Sequence, residues 1–240
     1  MAGGGVILAA AGPSPLWYLS RGTGAIALVL LSMTVILGIT GTLRWRPGTR
    51  TPRFVVDGLH RNISLLVVVL LAAHILTALL DPFAHLRVVD AIVPLASRYR
   101  PLWLGFGALA LDLLLALIVT SLVRARLGLR AWRAVHWAAY LCWPIAVLHG
   151  LGTGTDVRST WLLALTVACA AGVVVAVVVR VALDRGAGLG LRVAGIALIA
   201  ATVAGVVAFA AQGPLKPGWA RRAGTPVALL GRGQDRAGAR

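Results

Sequence analysis

Six uninterrupted apolar stretches, each about twenty residues long, are separated by short connections rich in arginine. A hydrocarbon core of about 30 Å is crossed by about 20 helical residues. The stretches are read as spans A (about 24–43), B (63–80), C (102–123), D (132–151), E (161–179) and F (193–211). The runs are continuous and lack the period-two alternation of a transmembrane barrel strand. The predicted fold class is therefore all-α, a polytopic membrane helix bundle of about six transmembrane helices. Composition agrees. Hydrophobic residues make up 59% of the 240-residue chain and mean hydropathy is +0.90. Only 12% are charged, against about 25% in soluble domains. No single soluble core hides that much apolar surface. The two cysteines form neither a metal motif nor the C-x-x-C-H of thioether-bound haem.

The net charge of +16 comes from 23 basic residues, all but Lys216 arginine, against seven aspartates and no glutamate. On a soluble chain such a charge would point to nucleic acid. Here the arginines lie between spans, where they orient a membrane protein, and no nucleic-acid partner is expected. The A–B, C–D and E–F connections carry twelve arginines and the opposite side five. The positive-inside rule puts the first set in the cytoplasm and both termini outside. The segment after Ala211 carries Lys216, Arg221, Arg222, Arg232, Arg236 and Arg240, contains Gly and Pro, and is expected to lack fixed structure. The apolar residues 2–12 are too short to span and end at Pro13 and Pro15, and Trp17 and Tyr18 suit the membrane interface.

Four of the five histidines fall on two spans that run in the same direction. His60 and His74 bracket span B, 14 residues apart; His136 and His149 bracket span D, 13 apart. This makes two levels, each with one histidine from B and one from D, separated by about 20 Å at 1.5 Å per residue. A polar side chain in hydrocarbon needs a partner. Facing imidazoles on neighbouring helices can take the two axial positions of a haem iron, and two levels would hold two stacked haems. Fourteen residues return to within about 40° of the same helix face, but thirteen leave about 140°. A kink at Pro144 is the expected repair of span D. Ligands converging on one Zn or Cu ion are excluded by the separation of the levels.

A family resemblance follows from these residues. The two histidine spacings, Leu59-His60-Arg61, the stretch Thr120-Ser121-Leu122-Val123-Arg124, Leu129 to Trp137 with Tyr140, and His149-Gly150-Leu151-Gly152-Thr153-Gly154-Thr155-Asp156 resemble the ferric reductase-like transmembrane domain. That domain is shared by NADPH oxidases, metalloreductases and the haem subunit of methionine sulfoxide reductase; the likeness is to its actinobacterial form. It implies two bis-histidine b-type haems, His60 paired with His136 and His74 with His149. It also implies electron transfer from the cytoplasmic side outward, in a bacterial inner or plasma membrane. On this reading residues 1–20 form an N-terminal segment, 21–182 the haem-binding domain, 183–211 an additional helix and 212–240 a basic tail. No G-x-G-x-x-G fingerprint opens a βαβ unit, and 29 residues follow span F. The donor is therefore expected to be a separate flavoprotein, a reduced flavin or a quinol, and the acceptor a metal chelate or a protein at the outer face. The non-redox alternative is a small transporter or an assembly factor.

Arg61, Arg133 and Arg21 are candidates to pair with haem propionates, although each also serves topology. Asp112, deep in span C, suits a proton relay or an interhelical hydrogen bond. Cys142 and Cys169 read as packing residues, and Trp137, Tyr140 and Trp143 as pocket wall or core. His85 lies in the outer loop, and Gly105, Gly107 and Ala108 permit close helix packing.

Overall fold

The computed structural model describes residues 14–42, 53–183, 186 and 188–234. Ten helices follow one another without strands among these residues: α1 (Pro15–Thr42), α2 (Arg53–Leu80), α3 (Val88–Ile92), α4 (Pro101–Leu122), α5 (Arg124–His136), α6 (Ala139–Thr153), α7 (Thr160–Leu183), α8 (Leu189–Gln212), α9 (Trp219–Arg222) and α10 (Val227–Gln234). Five of them, α1, α2, α4, α7 and α8, are individually long and apolar enough to cross a bilayer. The pair α5 and α6, bent by 44°, brings the number to six when the pair is counted as one span. The predicted polytopic helical bundle is thus the fold observed, in a multi-pass membrane protein.

Two spans start earlier than their apolar stretches. The Ser14 hydroxyl accepts the Trp17 N–H at 3.0 Å, and Pro15 takes the first helical position, where a missing N–H costs nothing. Trp17 and Tyr18 therefore lie on α1. Helix α2 opens at Arg53, ten residues before the apolar run. His60 consequently sits two turns inside the helix, where span B had placed it just before its start. Ser14 also donates to Asp81 at 3.1 Å, which ties the start of α1 to the end of α2.

The expected kink at Pro144 is not where span D bends. Pro144 lies within α6, and the break falls at Trp137–Ala138, between α5 and α6. Helix α5 is amphipathic and carries Arg124, Arg126, Arg130 and Arg133, with none of its residues buried. An interfacial helix meeting an apolar one must turn, because their lipid-facing surfaces differ.

Helix α2 packs along α1, and α4 along α6; α1 also touches α6 and α7, while α8 packs on α7 and sets Phe209 against Trp103 of α4. A gap is left between α2 and the α4–α6 pair. The core comprises Trp143, Val147 and Leu151 of α6 with Val157 and Val173. Outside it, large apolar side chains such as Leu65, Val69 and Leu76 on α2 are exposed, and α8 buries no residue. That surface suits lipid rather than water. The span hydroxyls of Ser32, Thr34, Ser64, Thr77 and Thr166 donate to the carbonyl four residues back, so none of these five protons is stranded.

The tail does not lack structure as expected. Residues 213–225 fold back onto the end of the bundle near His149. Trp219 Nε1 donates to Gly152 O at 3.1 Å, and Arg100 Nε donates to Thr225 Oγ1 at 2.9 Å. Aromatic stacking and a buried guanidinium outweigh the turn-rich composition. Arg236 and Arg240 lie outside the described residues, as do Arg44, Arg46 and Arg50.

Candidate functional site

The four histidines come together in two pairs, His60 and His74 of α2 facing His136 at the end of α5 and His149 of α6. The ring centroids of His60 and His136 are 6.4 Å apart, and so are those of His74 and His149. A break of 44° separates His136, at the end of α5, from His149 on α6. The equality of the two separations is a property of the tertiary structure; the sequence spacings of 14 and 13 differ.

Three of the rings are anchored from behind by the same chemistry. His60 Nδ1 donates to Thr34 O at 3.0 Å, His74 Nδ1 to Ser20 O at 2.8 Å and His149 Nδ1 to Trp103 O at 2.9 Å. A carbonyl oxygen only accepts, so each Nδ1 must carry the proton. Nε2 is then left with its lone pair, the tautomer that ligates a metal. The fourth ring, His136, differs. Its buried Nδ1 has no hydrogen-bond partner among the described residues, and the ring stacks on Trp132 at 4.8 Å and 27°. Trp132 is itself held by its Nε1–H donating to Ser121 Oγ at 3.2 Å.

These pairs fit a haem iron. Metal–imidazole bonds of about 2 Å on each side, with a nitrogen about 1.1 Å from its ring centre by ordinary bond lengths, place two axial ring centres about 6.2 Å apart. Two imidazoles per site, with no third His, Cys, Asp or Glu converging among the described residues, suit a ring-bound metal rather than a bare ion.

A cavity of about 310 Å³ surrounds the His74–His149 level. Its walls are largely apolar, from Leu28, Leu31, Leu71, Leu111 and Val147, with Arg21, Asp81 and Tyr99 towards the end of the bundle. Ligand sites commonly pair an apolar wall with a few placed polar groups. Arg21 lies on this wall, donates to Thr155 Oγ1 at 2.5 Å and faces Asp156 at 3.8 Å, with its guanidinium over the Trp17 ring. Arg61 and Arg133 are exposed at the other end, next to His60 and on α5. Asp112 is half-buried on α4, and His85 is exposed in a left-handed backbone conformation. Cys142 packs with its Sγ near Ala110 O at 3.4 Å, and Trp143 is core, its Nε1 donating to Ser32 at 2.9 Å. Trp137 is exposed beside Tyr140.

Two groups of residues escaped the sequence reading. Trp103 and Trp219 meet Phe209 in an aromatic cluster at the His149 end, with Trp103 pressed on Gly152. Arg100 is fully buried and donates to Thr225, to Gly152 O at 2.9 Å and to Gly154 O at 3.4 Å. Burial pulls its guanidinium below the usual arginine range. Neither group had a signal beyond an arginine preceding a proline and scattered tryptophans.

No curated protein and no solved structure matches the chain. A family model, described as the ferric reductase like transmembrane component, matches residues 23–152, more than half of the sequence. The match runs from the first turns of α1 to the end of α6 and so contains all four paired histidines. The chain belongs to the ferric reductase-like transmembrane family, whose members imply a role in membrane electron transfer.

Proposed function

We propose that the protein is a transmembrane di-haem b-type cytochrome, the membrane subunit of a reductase. It would carry electrons from a donor on the cytoplasmic side, a separate flavoprotein, reduced flavin or quinol, to a metal chelate or protein at the outer face. The observation that carries this reading is the repeated 6.4 Å histidine pair. His60 with His136 and His74 with His149 would hold the two haems, and a haem bound there would supply one-electron relay chemistry.

The chain's own part is binding, orientation and insulation. The carbonyls of Thr34, Ser20 and Trp103 hold three imidazoles in the ligating tautomer. The apolar wall of α1, α2, α4 and α6 would limit the access of water to the His74–His149 level. Arg21 offers a cation near the end of that cavity for a carboxylate, as a propionate partner. Arg61 and Arg133 are proposed for the same task at the opposite level. The distribution of arginines favours placing the His60–His136 level towards the cytoplasm of a bacterial inner or plasma membrane.

A dithionite-reduced minus oxidised spectrum of the purified protein, with haem counted per chain, tests the reading. Two six-coordinate b-type haems are expected, and His74→Ala or His60→Ala should each remove one. A protein expressed with ample haem that binds none would return the non-redox alternatives to the front.

A further inference from the structure

The three anchored histidines share more than a hydrogen bond to a carbonyl. The acceptor residues are Ser20, Thr34 and Trp103, and in each case the residue four places on is a glycine: Gly24, Gly38 and Gly107. Each imidazole lies against that glycine. A Cβ added at Gly24 would sit 3.0 Å from His74 Cε1 and Nδ1, and at Gly38 3.3 Å from His60 Cε1. At Gly107 it would sit 2.5 Å from His149 Nδ1 and 2.6 Å from its Cε1. The physical reason is helix geometry. The carbonyl of residue i points along the axis towards residue i+4, whose N–H it already accepts. A side chain at i+4 crowds the outer lone pair of that carbonyl, and glycine there leaves room for a flat imidazole ring to approach as a second donor.

Resting on the di-haem reading above, we infer that Gly24, Gly38 and Gly107 are positioning residues for the haem ligands. Each opens one helical carbonyl to an imidazole Nδ1–H from a neighbouring helix, and so sets the tautomer and plane of one ligand. The device occurs twice at the His74–His149 level, from α1 and from α4. It occurs once at the His60–His136 level, where Trp132 stacks on the remaining ring instead. The two levels are therefore built unequally, with two carbonyl-anchored ligands at one and one at the other.

The test is the haem content and low-spin electron paramagnetic resonance spectrum of single Gly→Ala variants of the full chain. Signals are first assigned to levels with His74→Ala and His60→Ala. Gly107→Ala and Gly24→Ala are expected to lose or shift the same signal, the one His74→Ala removes, with the larger effect at Gly107. Gly38→Ala, where the contact is looser, is expected to shift the signal that His60→Ala removes. In each variant the untouched haem reports that the bundle has folded. Gly22→Ala, on α1 like Gly24 and Gly38 but with open space at the added Cβ, should leave both signals unchanged. Unchanged spectra in all three anchor variants would overturn the inference, as would equal loss of both haems in each. A wild-type chain without haem would instead refute the di-haem reading, so the two failures are distinguishable.

Discussion

A single imidazole is a poor guide to its own role, because a ligand and a packing histidine look alike in sequence. What separates them is the atom behind the ring. His60, His74 and His149 are each committed to one tautomer by a helical carbonyl, a contact between residues 26, 54 and 46 positions apart. Their existence was legible as two spacings; their anchors were not, because nothing local marks Gly24, Gly38 or Gly107 as partners. Away from the bilayer core, Asp90 offers a residue-scale prediction. Its buried carboxylate accepts the Arg87 backbone N–H at 3.0 Å and the guanidinium at 2.8 Å, which holds it below the usual carboxylate range. A depressed folded pKa stabilises the fold above the unfolded value, and that stability is lost as pH falls through the folded one. Asp90→Asn should lower Tm by a few degrees at pH 7, and the gap to wild type should begin to narrow below about pH 4 and keep narrowing as pH falls through the lower folded value. A gap that does not narrow at all as the pH is lowered would contradict the pairing.

At the scale of elements, the spans were legible and their ends were not. Apolar length identifies a crossing helix, since the bilayer demands it. The turns that extend α1 back to Pro15, where Ser14 accepts the Trp17 N–H, and α2 back to Arg53 lie outside the apolar runs that hydropathy reports. Span D shows the difference most clearly. The spacing of 13 correctly signalled that a straight helix cannot face both histidines to α2, but proline drew the bend to the wrong place. The turn falls at Trp137–Ala138, where amphipathic α5 gives way to α6. Pro144→Ala should therefore leave both haem levels occupied, with a reduced-minus-oxidised spectrum like that of wild type. Loss of the His149-level haem in that variant would move the functional bend back to the proline.

Across the whole molecule, the end bearing His149 is closed by the segment that follows α8. Arg100 is only 2% exposed. It bonds Thr225, Gly152 and Gly154 by its side chain and Gly224 by its backbone N–H at 3.1 Å. Trp219 shares the Gly152 carbonyl, and its ring joins Trp103 and Phe209. One residue thus pins the start of α4, the end of α6 and the C-terminal segment. Arg100→Ala would strand several buried acceptors, at a cost of about 1–3 kcal/mol for each group left unsatisfied. The expected result is a lower Tm and faster tryptic cleavage at the exposed Arg221 and Arg222. Cleavage at the wild-type rate would show that the clasp is not needed to hold the tail.

The apolar spans and the two levels of histidine were written in the sequence, because hydrocarbon thickness and helix rise act on each segment alone. The equal 6.4 Å pairs, the glycine-opened carbonyls, the bend before α6 and the folded tail were decided by tertiary structure. Each of these depends on which helices lie side by side, and a carbonyl becomes a ligand's anchor only when a neighbouring helix brings an imidazole to it.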